Sequence, residues 1–223
     1  MQNYKSSLKK AFLDTLPVLS GYLVLGIGFG VILQSKGYGL LYAASMSVFI
    51  YAGSMQYVGI DLLTSGASLI TAALTTLLVN SRHIFYGISM VDTYKNMKYK
   101  NILAFLLTDE TYSLVCTDTP KDKNYYLFVS LLDYSYWVLG SVIGSVLGSV
   151  IPFSTEGIDF ALTALFITVF VEQWLNSKDH IPAIIGVVTS IVCLVIFGAN
   201  SFLIPTMIGI TIFLFIYKKI GGM

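Results

Sequence analysis

Charged residues are scarce in this sequence. They make up 11% of its 223 residues, whereas a soluble domain carries roughly 25%. Hydrophobic residues reach 56%, and the mean hydropathy is +0.78. A chain this apolar cannot be coated in water, so a soluble globular domain is excluded and an integral membrane protein is predicted. The net charge of +1 offers no basic surface, which also excludes a nucleic-acid partner.

Cysteine and histidine are equally rare, with two of each. Cys116 and Cys193 stand far apart in separate apolar segments, a spacing unlike that of metal or redox motifs. His83 and His180 are also too far apart to indicate a metal site. The sequence contains no zinc-protease motif, phosphate loop or recognisable nucleophile–base pair. We therefore expect no cofactor and no enzymatic activity.

Uncharged stretches long enough to cross a bilayer divide the chain. A helix needs about 20 residues to cross the hydrocarbon core, and such stretches occur at Thr15–Ser35, Gly37–Ile60, Leu62–Ser81 and Tyr134–Thr155. His180–Tyr217 would be about 57 Å long as one helix, so we expect it to fold back at residues 198–201. The predicted fold class is an all-α integral membrane protein with about seven to eight transmembrane or half-membrane helices.

Short matches between the two halves predict an internal duplication. Val24-Leu25-Gly26 recurs as Val138-Leu139-Gly140, and Asn80-Ser81 recurs as Asn200-Ser201, at a nearly constant offset. We expect one membrane domain over residues 1–223, with repeats at about 14–100 and 130–219 linked by 101–117. If the linking segment crosses the membrane, the repeats are inverted; if it does not, they are parallel. The sequence leaves both arrangements open.

Glycines recur at helical spacing in both halves. Gly26, Gly28 and Gly30 form one such set, and a second set follows at positions 140, 144 and 148. Small residues at this spacing let two membrane helices approach closely. We therefore predict that these glycines pack helices together and take no direct part in function.

Arg82 is the single arginine of the sequence, and it lies inside a long apolar tract. A guanidinium in hydrocarbon costs about 2.5–3.5 kcal/mol on insertion scales, and it cannot escape by losing its proton. With Asn80 and His83 within one turn, it is predicted to form a substrate or coupling site between two half-helices, where a carboxylate could bind. The alternative is a permanent pair with Asp109 or Glu110, or a side chain that reaches the membrane surface. Asn200, the counterpart of Asn80, joins the predicted binding residues.

Asp109 and Glu110 stand at the centre of an apolar segment, Ile102–Cys116. Adjacent helix positions are about 100° apart, so the two carboxylates cannot face the same partner. One of them is expected to pair with Arg82 while the other faces a cavity and acts as a proton carrier. Asp159 is a further candidate, either as a coupling residue or as a cap at a helix start. The Gln56 amide is predicted to bind a substrate or a facing helix.

Five motifs in this order resemble the AzlC family, the large subunits of bacterial branched-chain amino acid exporters. They are Pro17 with Gly26-Ile27-Gly28-Phe29-Gly30, Phe49–Gln56, Asn80–Tyr86, Leu107–Thr111 and Gly157–Leu162. The resemblance covers roughly Asp14 to Tyr217. It implies a multi-pass permease of the bacterial cytoplasmic membrane that exports leucine, isoleucine or valine with a small hydrophobic subunit of the AzlD type. It also implies that Gln56, Asn80, Arg82, His83, Asp109, Glu110 and Asp159 are motif positions, without assigning a role to each.

The sequence thus predicts a secondary active exporter of apolar amino acids. Arg82 would bind the substrate carboxylate, and the Asp109/Glu110 pair would bind the ammonium group or carry a coupling proton. Export of another small solute by the same architecture is one alternative. A membrane scaffold subunit that transports nothing is a second.

Overall fold

The computed structural model describes residues 4–116, 122–150, 167, 170–171, 174–175, 177, 179–198 and 202–220. The chain forms two compact units, residues 1–162 and 163–223. Every regular element among the described residues is an α-helix, as predicted. In the first unit they are α1 (Tyr4–Asp14), α2 (Leu16–Ser35), α3 (Leu40–Phe49), α4 (Gly53–Thr64), α5 (Leu69–Val79), α6 (Ser81–Tyr94), α7 (Lys100–Phe105), α8 (Asp109–Val115) and α9 (Lys123–Val150). In the second they are α10 (Ile181–Phe197) and α11 (Leu203–Ile220).

Helices α2 and α9 are the two described helices that are long and apolar enough to cross a membrane, and they run side by side in the same direction. A methyl group added at Gly26 would lie 3.0 Å from the backbone nitrogen of Ser141, and one at Gly148 would lie 3.1 Å from the Cα of Val31. Residue numbers therefore increase in the same direction along both helices. This approach confirms the predicted packing of the two glycine sets. If α2 and α9 are counterparts in two repeats, those repeats are parallel; the duplication itself stays a prediction.

Helices α3 and α4 form a hairpin, so the prediction of one straight span over Gly37–Ile60 is wrong. The Gln56 amide donates a hydrogen bond to Ser47 at 3.0 Å, and the Tyr38 hydroxyl donates to the carbonyl of Leu63 at 3.1 Å. These nested contacts require the two helices to be antiparallel. The reversal occurs at Tyr51, whose φ of 44° is the one positive value among the described residues other than glycine. Such a backbone is costly for a bulky side chain, so the surrounding packing must hold it in place.

Helix α6 continues from α5 after an interruption of one residue, Asn80. The Asn80 N–H donates to the carbonyl of Thr76 at 3.0 Å, and the His83 N–H donates to that of Asn80 at 2.9 Å. With φ −92° and ψ 5°, Asn80 has a near-helical backbone that does not reverse the chain. The predicted break between two half-helices is confirmed, and the chain does not fold back there.

A second hairpin is formed by α7 and α8 in place of a continuous segment over 101–117. Tyr86 of α6 stacks on Tyr112 of α8 with ring centroids 4.7 Å apart, one turn beyond the contact between Arg82 and Asp109. Helices α6 and α8 are therefore parallel. Helix α7 runs the other way along α6, with residues 100–107 facing residues 95–87 across a shallow pocket. The chain reverses at residues 106–108, between α7 and α8.

In the second unit, α10 and α11 fold back on each other, as the length of His180–Tyr217 predicts. The Tyr217 hydroxyl donates to Asp179 at 2.9 Å, and a methyl group at Gly209 would lie 2.9 Å from Thr189 Cγ2. Gly198 follows α10 with a φ of 71°, a backbone that glycine adopts without a steric cost.

Candidate functional site

Arg82, in the first turn of α6, joins the first turns of two other helices. Its Nη1 donates to Asp109 Oδ2 at 3.0 Å, and its Nη2 donates to Ser54 Oγ at 3.1 Å. Asp109 begins α8, and Ser54 is the second residue of α4. The two hairpins and the interrupted α5–α6 helix thus meet at one guanidinium. The Arg82 and Asp109 side chains are 36% and 30% exposed, so the described residues do not fully enclose the pair.

Two buried polar atoms beside this ion pair have no hydrogen-bond partner among the described residues. They are Arg82 Nε, which can only donate, and Asn80 Oδ1, which can only accept. Buried polar groups are normally satisfied, and those that are not need an explanation such as a bound ligand. His83 Nδ1 lies 3.3 Å from the Asn80 carbonyl oxygen, so its ring stands next to the same two residues. The structure therefore brings Asn80, Arg82 and His83 together with Asp109.

Asp109 and Glu110 face different partners, as their adjacent positions predict. Asp109 pairs with Arg82, which is the pairing that the sequence offered as the alternative to a free site. Glu110 instead accepts a hydrogen bond at 2.7 Å from the hydroxyl of Tyr22 on α2. That hydroxyl also lies 2.8 Å from Thr108 Oγ1, whose oxygen caps α8 by accepting from the Thr111 N–H. The acidic pair therefore connects Arg82 to helix α2.

Gln56 is fully buried, and both ends of its amide have protein partners. Its Nε2 donates to Ser47 at 3.0 Å, and its Oε1 accepts from Trp137 Nε1 at 2.7 Å. These bonds tie the α3–α4 hairpin to α9, only two residues away from Ser54. A facing helix, which was one of the two predicted partners, is bound here; binding of a substrate by Gln56 stays a prediction.

Removing the indole N–H is expected to loosen this hairpin. In Trp137→Phe the buried Gln56 oxygen loses its donor, which costs about 1–3 kcal/mol for an unsatisfied buried group. We expect a lower melting temperature of the purified protein in detergent. The control is Ser135→Ala on the same helix, whose exposed hydroxyl bonds only the Leu131 carbonyl of its own turn. Equal melting temperatures for wild type and Trp137→Phe would show that the Gln56 bond does not stabilise the fold.

Asp133 is a buried acid near the candidate site that was not predicted from the sequence. It is fully buried in α9, where Oδ2 accepts from Thr111 Oγ1 at 2.8 Å and Oδ1 has no partner in the described part of the chain. In the sequence, Asp133 stands at the edge of the uncharged stretch that begins at Tyr134. The structure instead places it inside one continuous helix. A lone acid surrounded by apolar and aromatic residues was the available signal, since intramembrane carboxylates are functional by default.

Two predicted site residues, Asp159 and Asn200, lie outside the residues that the structure describes. Their assignment to coupling and to substrate binding stays a prediction.

The sequence is similar to a known protein family and to several of its members. A family model described as AzlC protein matches residues 17–151. The chain is 42% identical over 219 residues to the branched-chain amino acid transport protein AzlC of Bacillus subtilis, covering 96% of this chain and 86% of that protein. It is 40% identical over 224 residues to an uncharacterized membrane protein of Helicobacter pylori, covering 98% of both. It is also 30% identical over 178 residues to the inner membrane protein YgaZ of Escherichia coli, covering 74% of this chain and 73% of that protein. No solved structure matches the chain.

Proposed function

The chain belongs to the AzlC family, and from that membership together with the Arg82 site we propose that it is a secondary active permease exporting branched-chain amino acids. The relative from Bacillus subtilis is named for the transport of these amino acids. The direction of transport, the bacterial cytoplasmic membrane as its location and a small AzlD-type subunit as its partner are further parts of this proposal. They rest on the resemblance to the family.

The observation that carries the proposal is the incomplete bonding of Arg82. A guanidinium has five N–H donors in a planar fork, and one donor each from Nη1 and Nη2 is used by Asp109 and Ser54. The Nε donor is buried and unpaired, although the side chain remains partly exposed. The α-carboxylate of an amino acid has the charge and the planar shape to accept from these remaining donors. Arg82 would therefore bind substrate while it stays attached to both hairpins.

The other end of an amino acid requires acceptors. Asn80 Oδ1 is buried and unpaired, and Asp109 lies against Arg82. Both could accept hydrogen bonds from an α-ammonium group held near the guanidinium. In this arrangement His83 would lie beside the ammonium group. Gln56 would hold the α3–α4 hairpin in place through its bond to Trp137.

Movement of the two hairpins would open the site to one side of the membrane at a time. The first turns of α4 and α8 both contact Arg82, so a substrate carboxylate bound to the remaining donors of Arg82 would place a negative charge where both hairpins attach. Transporters commonly bind their substrates at such interrupted helices. The parallel α2 and α9, packed through glycine, would serve as the fixed part of the molecule.

Efflux of preloaded leucine tests the proposal. Cells that express the chain with a matching small subunit are loaded with labelled leucine or valine, and the loss of label is compared with that of cells carrying an empty vector. We expect efflux several-fold faster than in the control cells, and no acceleration for labelled lysine, whose side chain is charged. Equal efflux with and without the protein, with its presence in the membrane confirmed by immunoblot, would refute the substrate assignment. A substrate panel would then separate export of another solute from a scaffold role.

A further inference from the structure

Glu110 and Asp133 are connected by an unbroken chain of three hydroxyl groups. Glu110 Oε2 lies 2.7 Å from the Tyr22 hydroxyl, which lies 2.8 Å from Thr108 Oγ1. Thr108 Oγ1 lies 3.2 Å from Thr111 Oγ1, which lies 2.8 Å from Asp133 Oδ2. Three of these separations lie in the usual range for O–H···O hydrogen bonds, and the separation between Thr108 and Thr111 is slightly longer. This series of hydrogen-bonded groups runs from Glu110 in the first turn of α8 to Tyr22 on α2. It then returns through Thr108 and Thr111 at the start of α8 to Asp133 in α9.

If all four links are hydrogen bonds, the number of hydrogens determines the charge of this hydrogen-bonded chain. Four hydrogen bonds need four hydrogens, whereas the three hydroxyl groups supply only three. The N–H of Thr111 donates to Thr108 Oγ1 but does not fill any of the four links. The fourth hydrogen must therefore come from a carboxyl group at one end. If both Glu110 and Asp133 were ionised, one link would join two oxygens without a hydrogen between them. If both were protonated, one hydrogen would be left without an acceptor in the chain.

We propose that Glu110 and Asp133 share one proton through Tyr22, Thr108 and Thr111, and that this chain is a proton relay. With the proton on Glu110, that carboxyl donates to Tyr22, Tyr22 to Thr108, Thr108 to Thr111, and Thr111 to ionised Asp133. With the proton on Asp133, all four bonds point the other way and Glu110 is ionised. Moving each hydrogen across its own bond converts one state into the other. No atom is gained or lost, and the negative charge changes ends.

The two ends differ in what surrounds them, which gives the relay a direction. Glu110 is adjacent to Asp109 and close to Arg82, at the partly exposed site. Asp133 is fully buried, and the hydroxyl of Tyr51 at the tip of the α3–α4 hairpin lies beside Tyr22 and Thr111 and faces Asp133. A positive group that arrives near Asp109 would favour an ionised Glu110 and so move the shared proton to Asp133. This last step rests on the proposed function, because the arriving group would be the ammonium of the substrate; the sharing of the proton does not.

Infrared spectroscopy of the full-length protein in lipid tests the shared proton. We expect the wild type at neutral pH to show the C=O band of one protonated carboxyl group, which shifts in D₂O. Glu110→Gln and Asp133→Asn should each remove this band completely, because the new amide N–H supplies the fourth hydrogen and leaves the remaining carboxyl ionised. Asp61→Asn, which replaces an exposed carboxyl on α4, should keep the band. A band that persists in either Glu110→Gln or Asp133→Asn, or its absence from the wild type, would overturn the proposal.

Breaking the chain in its middle provides a second variant pair. Thr111→Val removes one hydroxyl group at nearly constant shape, so hydrogen bonds no longer connect the two carboxyl groups. The C=O band should therefore change in position or intensity. Thr111→Ser keeps the hydroxyl and should restore the wild-type band. An identical spectrum for Thr111→Val and wild type would show that Thr111 is not part of the relay.

Transport measurements separate this inference from the proposed function. In proteoliposomes, leucine exchange at equal pH on both sides needs binding and access only, whereas accumulation driven by a pH gradient needs proton movement. Asp133→Asn should retain leucine exchange, and its accumulation of leucine under a pH gradient should be at least tenfold lower than that of the wild type. Full accumulation in Asp133→Asn would refute the role of the relay in coupling. Wild-type protein that does not exchange leucine would instead refute the proposed substrate, and the infrared result would still decide whether the proton is shared.

Discussion

Replacing Arg82 with lysine is expected to lower leucine efflux roughly 10- to 100-fold while the protein still inserts in the membrane. An ammonium group is a point charge with no planar fork, so it cannot bond Asp109, Ser54 and a carboxylate together. A lost hydrogen bond to a charged group is worth about 1.5–3 kcal/mol, which corresponds to this range of rates. The measurement is the initial rate of labelled leucine efflux, normalised to the amount of protein in the membrane.

The control exchanges a basic residue at an exposed ion pair. Lys95 pairs with Asp92 at 3.1 Å, and both side chains are largely exposed. Lys95→Arg should leave efflux unchanged, because exposed pairs contribute little. Wild-type efflux by Arg82→Lys would remove Arg82 from the substrate site and leave it a structural link between the hairpins.

A single methyl group at Gly30 is expected to prevent α2 and α9 from packing as they do. In Gly30→Ala the new carbon would come within 3 Å of backbone atoms of Ser141, Ser145 and Gly144. Backbone atoms cannot rotate away as a flexible side chain can, so the two helices must separate along their glycine contact. Overpacking usually costs about 1–3 kcal/mol and occasionally more. We expect a clearly lower melting temperature and less protein in the membrane.

Gly21 provides the matched control in the same helix. A methyl group there meets nothing within 4 Å, so Gly21→Ala tests the change of residue without the clash. It should be neutral or stabilise the protein slightly, because alanine favours a helix interior by about 0.8–1 kcal/mol over glycine. Equal stability of the Gly30→Ala and Gly21→Ala proteins would contradict the close packing of α2 on α9.

The sequence predicts the long elements of this fold well and the reversals poorly. The length of the uncharged stretch identified α2 almost to the residue, and the 38 uncharged residues of His180–Tyr217 required the turn that Gly198 provides. Glycine spacing predicted that both helices pack closely against other helices, but not that they pack on each other. These signals work because bilayer thickness and backbone approach depend directly on residue count and side-chain size.

The hairpin tips give no comparable signal. Hydropathy counts apolar residues without showing which way the chain runs, so Gly37–Ile60 looks like one crossing although it is two antiparallel helices. The turn depends on a left-handed tyrosine, Tyr51, where a glycine would have been expected. Its conformation is imposed by packing between distant segments, which local sequence does not encode.

Arg82 could be predicted from the sequence and Asp133 could not, for a related reason. Arg82 stands out by its type alone, as an ion that cannot become neutral in an apolar tract. Asp133 is one of several acids and marks the edge of an apolar stretch as readily as the inside of a helix. Its importance comes from Thr111 on α8, and only the folded hairpin brings that hydroxyl within 2.8 Å.

Trp137 gives the molecule an optical reporter of its own. The chain has two tryptophans, and Trp174→Phe would leave Trp137 as the sole one. Its indole is 3% exposed, bonds Gln56 of the α3–α4 hairpin, and lies edge-on to Tyr22 with ring centroids 5.3 Å apart. Indole emission depends on the polarity around the ring, so any movement of the hairpin tip away from α9 would shift its wavelength. The opening of one hairpin can therefore be followed in real time without attaching a dye.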